Sequence, residues 1–464
     1  MGAVALADFG STYTKVRLVD PEEGRLLARA EAPTSIGTDL MEGYAAALAE
    51  ARRACGSVEI DQALAVSSAG GGLRVAAIGL VADLTAAAAR QAALNAGARL
   101  VSVLSGALAD EDLERLEAER PEIVLFAGGT DGGQAELVLE NARRLAQRPV
   151  GRHVVVACNA EVAAEVAAIL ERAGMEPAIA TNVMPQLGRI EVEPAREAIL
   201  RVFLEHVIGG KGLSASAEFE RMVKLPTPEA VLEATRLLSR GVEGEPGMGD
   251  VLVVDVGGAT TDVHSDRGLE PATPGIEAPL LPAPPTLRTV EGDLGLRVGA
   301  PGVLETDGRW IAGQVDAGPD SIRQSVLFRS ERPEWLPDPP AEDLLDGALA
   351  VSCAATAISR HCGTMLLTRG PAGEPTLTRE GPDLREVARV LGTGGVFAHR
   401  EDGVGILERA LARRVPRSLA PREAEVAVDR NYVLSAAGLL STVDPGAALR
   451  LLHRELLGYP NWTP

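Results

Sequence analysis

Val251-Leu252-Val253-Val254-Asp255-Val256-Gly257-Gly258-Ala259-Thr260-Thr261-Asp262 is an apolar run that meets an acidic residue, crosses a turn of small and hydroxyl residues, and leads into a second apolar stretch. Short apolar segments flanking a small-residue cluster read as strand, turn and strand. The same design opens the chain, where residues 3 to 20 carry the octet Asp8-Phe9-Gly10-Ser11-Thr12-Tyr13-Thr14-Lys15. A phosphate chain needs this chemistry. Glycines (Gly10, Gly257, Gly258) let backbone N–H groups approach phosphate oxygens, and the hydroxyls of Ser11, Thr12, Thr260 and Thr261 add donors. The acidic residues of the octets would hold Mg2+ through water, because magnesium sheds its waters reluctantly. A single octet is hard to tell from an ordinary glycine hairpin; two of one design, one opening each half of the chain, point to a shared task.

A chain of 464 residues exceeds one simple core, so two lobes with an inserted third unit are expected. The first lobe spans 1–248 and the second 249–464, divided after the glycine-rich linker 241–249. Between about 99 and 182 apolar runs at 99–104, 122–127, 153–158 and 176–181 alternate with helical stretches at 110–118, 132–147 and 160–173. That spacing predicts an inserted parallel, doubly wound α/β subdomain. A helix fits 39–54, residues 195–240 read as mainly helical around the Gly209-Gly210-Lys211-Gly212 run, and a proline-rich loop is expected over 271–285. Helical patterns return at 342–361 and 383–391 and dominate from about 403.

The formal net charge of −20 makes a nucleic-acid surface improbable, so any polyphosphate must rely on local backbone donors, helix N-termini and a metal ion. Lysine is scarce, confined to Lys15, Lys211 and Lys224, which gives weight to a lysine inside an octet. Cys55, Cys158, Cys353 and Cys362 lack metal-binding spacing and read as reduced thiols. No signal-peptide pattern or apolar run of about 18 residues is present, so a cytoplasmic protein without a membrane span is expected. No GxxxxGK[ST] loop occurs, and the turn at Gly392 fails the third position of GxGxxG, which disfavours a P-loop or Rossmann enzyme.

Both octets resemble the phosphate motifs of the actin/Hsp70/sugar-kinase superfamily, whose ribonuclease H-like lobes clamp ATP between them. The resemblance implies Asp8 and Asp262 as ligands to Mg2+-bound water, Lys15 as a phosphate contact, and Asp255 as an organiser of the metal or of the attacking water. A third element of that superfamily, a glycine turn supporting adenosine, is similar to Leu391-Gly392-Thr393-Gly394-Gly395-Val396, so Gly392, Gly394 and Gly395 join the expected cofactor site. Together with Gly128-Gly129-Thr130-Asp131-Gly132-Gly133 and Thr289-Val290-Glu291-Gly292-Asp293-Leu294-Gly295, these motifs resemble the glutamate mutase accessory family, called MutL or GlmL, over nearly the whole chain. That family implies ATP-driven reactivation of an adenosylcobalamin-dependent mutase, with the mutase as protein partner. The chain itself carries no cobalamin-binding DxHxxG. Its assembly state, a homodimer included, stays open. A small-molecule kinase and an actin-like assembly protein are the alternatives on the same fold.

Overall fold

The computed structural model describes residues 2–35, 37–56, 58–69, 73–207, 212–268, 276–277, 283–337, 340–369, 374–413 and 415–456. Most of the 271–285 loop, Lys211 with the glycines just before it, and Pro339 lie outside them. The chain forms two compact units. One holds the residues up to Leu18 and Ala28–Ala230; the other holds Val19–Leu27 and most of the chain from Val231 onward.

The chain opens with strands β1 (Ala3–Phe9), β2 (Tyr13–Asp20), β3 (Arg25–Pro33) and β4 (Ile60–Ser67). Every residue of β1 is buried, as suits a central strand covered on both faces. Helix Leu40–Cys55 follows β3, capped by the Asp39 carboxylate, which accepts from Met41 N at 2.9 Å. Its buried residues Leu40, Tyr44, Ala47 and Ala51 share one face at helical spacing.

Before the first sheet is completed, the chain builds a second one from β5 (Leu73–Gly79), β6 (Ala98–Ser105), β7 (Ile123–Gly128), β8 (His153–Cys158) and β9 (Glu176–Ile179). All pairings are parallel, in the order β6-β5-β7-β8-β9. Helices Asp110–Glu119, Glu136–Gln147 and Ala163–Arg172 cover one face, where Leu113, Leu116, Val138, Leu145, Val166 and Leu170 pack on Ile78, Val124, Phe126 and Val156. Helices Ala87–Asn95 and Glu193–Val202 pack on the sheet and on each other. This is the doubly wound unit expected from the spacing, enlarged by β5, which lies inside the sheet. The chain then returns through β10 (Val223–Pro226), which pairs in parallel with β4 and completes the order β10-β4-β1-β2-β3. The α/β unit is thus an insertion between the fourth and fifth strands of the first sheet.

The glycine-rich stretch after helix Thr227–Arg240 closes into a small hairpin, β11 (Gly241–Val242) with β12 (Glu245–Pro246), where a linker was expected. Then come β13 (Val251–Val256), β14 (Thr261–Asp266), β15 (Ile276–Glu277), β16 (Thr286–Glu291), β17 (Thr364–Arg369), β18 (Pro375–Glu380), β19 (Arg389–Thr393) and β20 (Glu425–Val428). Five of them form a sheet of order β16-β14-β13-β19-β20, antiparallel on the β14 and β16 side and parallel on the β19 and β20 side. Helices Ala300–Ala312, Pro319–Glu331, Pro340–His361 and Gly403–Ala412 contribute to the core beneath it.

The helix expected over 383–391 does not form. Leu384, Val387 and Leu391 have helical spacing, but Val390 and Leu391 pair with Leu252 and Val253 in the buried sheet, where a short apolar run serves as a strand. In each of the two mixed sheets the strands stand in the order third, second, first, fourth, fifth, with the first, fourth and fifth parallel. This duplicated α/β sheet, with one copy interrupted by a parallel insertion, is the fold of the actin/Hsp70/sugar-kinase class.

Candidate functional site

Each octet sits where the first strand of a mixed sheet turns into the second. In the first, Gly10 N donates to Tyr13 O at 3.2 Å; in the second, Gly257 N donates to Thr260 O at 2.9 Å. A side chain at Gly10 would meet Tyr13 O at 2.6 Å and one at Gly257 would meet Thr260 O at 3.0 Å, so glycine is what lets each turn close this tightly. Each octet places its aspartate two residues before that glycine. Ser11, Thr12, Gly258 and Ala259 are exposed at the tips, the arrangement a phosphate cradle requires.

Asp8 is the last residue but one of the buried strand β1 and is itself 8% exposed. Its Oδ1 accepts from Thr227 Oγ1 at 2.8 Å and its Oδ2 lies 3.9 Å from Lys15 Nζ, so the structure joins Asp8 to Lys15 and adds Thr227. Thr227 opens the helix that follows β10 and lies 219 residues from Asp8. Thr34 holds the turn from behind: its hydroxyl donates to Gly10 O at 2.9 Å and its N–H to Thr12 O at 2.8 Å.

In the second unit the register sets Asp262, Asp255 and Thr393 side by side across β14, β13 and β19. Asp262 is largely committed. Arg288, 2% exposed, donates through Nε and Nη2 to its Oδ1, at 2.9 Å for Nε, and Thr260 Oγ1 lies 3.2 Å from its Oδ2. The glycine turn comes to the same place. Gly394 has φ 104° and ψ 166°, and a Cβ there would stand 2.4 Å from Val256 O and 2.9 Å from Asp255 Oδ1. Gly392 faces the Phe397 ring, and Gly395 lies near the Tyr432 hydroxyl. Behind the turn, the fully buried Asp429 accepts from Val433 N at 2.9 Å and Leu434 N at 3.0 Å, and lies 3.3 Å from Thr393 Oγ1.

The stretch 289–295 also belongs here, though not as free carboxylates. Arg360 Nη1 binds Glu291 at 2.6 Å and Asp293 at 3.0 Å, and burial pushes the Glu291 carboxyl above its ordinary value. Beyond it, Leu296 N and Arg297 N donate to Gly257 O and Gly258 O, and Thr261 Oγ1 donates to Leu294 O. Gly295 and Gly299 permit this approach, since a Cβ on either would lie within 2.5 Å of Ala259 backbone atoms.

The Gly128–Gly133 turn spends three of its donors on the surrounding protein and on itself. Asp131 N donates to Pro185 O, Gly132 N to Asn159 Oδ1 and Gly133 N to Thr130 O. It is a strand-to-helix turn in which these three N–H groups are already taken by protein acceptors. The cysteines are free thiols; burial pushes Cys158, Cys353 and Cys362 up to about 12. Among the described residues no helix is long and apolar enough to cross a membrane, and no three His, Cys, Asp or Glu side chains gather as metal ligands. Carboxylates that lie beside the hairpin hydroxyls without gathering in threes suit an ion that keeps much of its water, as Mg2+ does, and the glycine-lined tips suit phosphate.

Thr34, Thr227, Arg288, Arg297 and Asp429 escape sequence reasoning because none belongs to a motif; only the closeness of Arg288 and Arg297 to the two ends of the Thr289–Gly295 stretch hints at a role.

The family model for MutL protein matches residues 4–456. Protein MutL of Clostridium tetanomorphum is 39% identical over 461 residues, covering 98% of this chain and all of that one. Among solved structures, acetone carboxylase in its nucleotide-free structure is similar at 14% identity and TM-score 0.40, over 95% of this chain and 70% of that one. Glycerol dehydratase reactivase is similar at 12% identity and TM-score 0.34, over 95% and 99% of the two chains. At these scores neither structure carries an argument, and the fold assignment rests on the duplicated strand order. The match along almost the full chain decides the family: the chain belongs to the MutL protein family.

Proposed function

We propose that this chain is an ATP-dependent accessory factor that reactivates an adenosylcobalamin-dependent mutase acting on an amino acid, working in the cytoplasm. The observation that carries the reading is the repeated hairpin. An aspartate, a glycine closed onto the residue three positions on, and an exposed tip recur at the same place in two sheets of one topology. Family membership selects the accessory role over a small-molecule kinase or an assembly protein.

In this reading Ser11, Thr12 and Lys15 bind phosphate in the first unit and Gly258 and Thr260 in the second, with Gly10 and Gly257 closing the two turns; Thr261, expected among them, is buried with its hydroxyl on Leu294 O and stands behind the cradle. Asp8 and Asp255 orient metal-bound water, and Asp262 contributes through Oδ2 while Arg288 fixes its position. Gly392, Gly394 and Gly395 form the turn that supports the nucleoside. Mg2+, when bound, neutralises phosphate charge and lowers the barrier to hydrolysis. We assign partner docking to the parallel insertion, residues 73–202. Cross-links from a bound mutase should fall there, and a map confined to the two mixed sheets would count against it.

The test is ATP hydrolysis with Mg2+, alone and with a cobalamin-inactivated mutase. Stimulated hydrolysis and recovered mutase activity are expected, and Asp8→Asn and Asp255→Asn should each lower turnover about a hundredfold or more. Normal turnover in both variants would remove the site assignment. Phosphate transfer to a small metabolite would favour the kinase.

A further inference from the structure

We infer that Arg297 is a positioning residue for the second hairpin, turning two peptide groups so that the N–H groups of Gly258 and Ala259 face a nucleotide phosphate. The inference rests on the reading of that hairpin as a phosphate site. In a trans peptide the C=O and N–H point in opposite directions. Gly257 O accepts from Leu296 N at 3.0 Å, so the N–H of Gly258 in the same peptide points away from that segment. Gly258 O accepts from Arg297 N at 2.7 Å and from Gly299 N at 3.3 Å, which sends the Ala259 N–H the same way. Both residues are exposed, and successive N–H groups turned outward make an anion-binding concavity.

The Arg297 side chain anchors this clamp. It is buried with its stem against Gly258, where a Cβ would touch Arg297 Cβ and Cγ at 3.5 Å. Nε donates to Trp335 O at 3.1 Å and Nη1 to Leu296 O at 2.7 Å; Nη2 donates to Asp346 Oδ2 at 2.9 Å. Asp346 also accepts from Arg329 Nε at 2.8 Å, and the fully buried Arg329 donates to Ser325 O and Glu342 O. The hairpin is thereby tied through buried charge to helices Pro319–Glu331 and Pro340–His361. A loop held only by its own backbone would not need a guanidinium with every side placed on a fixed acceptor. Losing it frees the two carbonyls to rotate and takes the N–H groups with them.

The test compares affinities of the full-length protein for MgATP and for adenosine, which lacks phosphate, with thermal melting alongside. Arg297→Met keeps the stem and removes the guanidinium. It should weaken MgATP about tenfold to a hundredfold, the worth of one oriented hydrogen bond to a charged group, and leave adenosine within about twofold. Gly299→Ala disturbs the clamp without touching a charge, because its Cβ would stand 2.4 Å from Ala259 O, and it should show the same split. If Arg297→Met does not fold, Gly299→Ala decides alone. Equal loss of both ligands, or unchanged MgATP affinity, overturns the positioning role. A wild-type protein that binds no MgATP sinks the nucleotide reading itself, which is a different result.

Discussion

Replacing Gly394 by alanine is the sharpest probe of the second unit, because it strains the backbone and pushes on the aspartate hairpin together. The φ of 104° and ψ of 166° lie in a region essentially reserved for glycine, and forcing a side chain there costs about 1–3 kcal/mol. The new Cβ would sit 2.4 Å from Val256 O, where 3.0 Å is the practical limit, so the strand ending in Asp255 and Val256 must give by at least 0.6 Å. Functional groups tolerate about 0.5 Å of displacement, and a misplacement of about 1 Å costs roughly a hundredfold in rate. Melting should therefore fall by roughly 2–12 °C, at about 2–4 °C per kcal/mol for a unit of this size, and ATP hydrolysis by about tenfold to a hundredfold. Scanning calorimetry and a phosphate-release assay read the two effects. Gly37→Ala is the control: nothing lies within 4 Å of its Cβ position, and alanine there should leave both quantities unchanged. If Gly394→Ala melts and turns over like the parent, the turn does not press on Asp255 and the reasoning fails.

Thr227→Val keeps shape but removes the hydroxyl donated to Asp8 at 2.8 Å, a bond to a charged group worth about 1.5–3 kcal/mol; hydrolysis should fall at least about tenfold and melting by roughly 3–12 °C. An unchanged rate would mean that Thr227 does not set the carboxylate's position. Acid should weaken the protein before its carboxylates titrate. Burial holds His264 well below the ordinary imidazole value, with Arg288 adding to it, and lowers His361 to about 3, with Arg267 adding. Below about pH 6.5 the unfolded chain takes up protons that these folded-state imidazoles refuse, so stability falls from there down toward pH 3 by about 1.4 kcal/mol per pH unit for each histidine. Denaturant titrations between pH 7 and 5 should show that slope reduced by one histidine's share in His361→Asn; an identical slope would mean that His361 charges freely in the fold.

The features legible from the residues alone are local. The octets at Asp8 and Asp255 are read from strand, glycine and hydroxyl residues that are contiguous, and the βα alternation from 99 to 182 follows from periodicity. Such features depend on neighbours in the chain, and the family likeness built on them matches the chain from residue 4 to 456. The remaining features depend on contacts between distant parts of the chain. Only pairing across distant segments makes β5 part of the parallel sheet, turns 389–393 into a buried strand in place of a helix, and brings Gly394 against Asp255. The same holds for Arg288 on Asp262, for Thr227 on Asp8 and for the network from Arg297 to Arg329. These contacts join residues separated by tens to hundreds of positions, and the free energy that selects them comes from burying apolar strands and pairing desolvated charge, neither of which leaves a periodic mark in the chain.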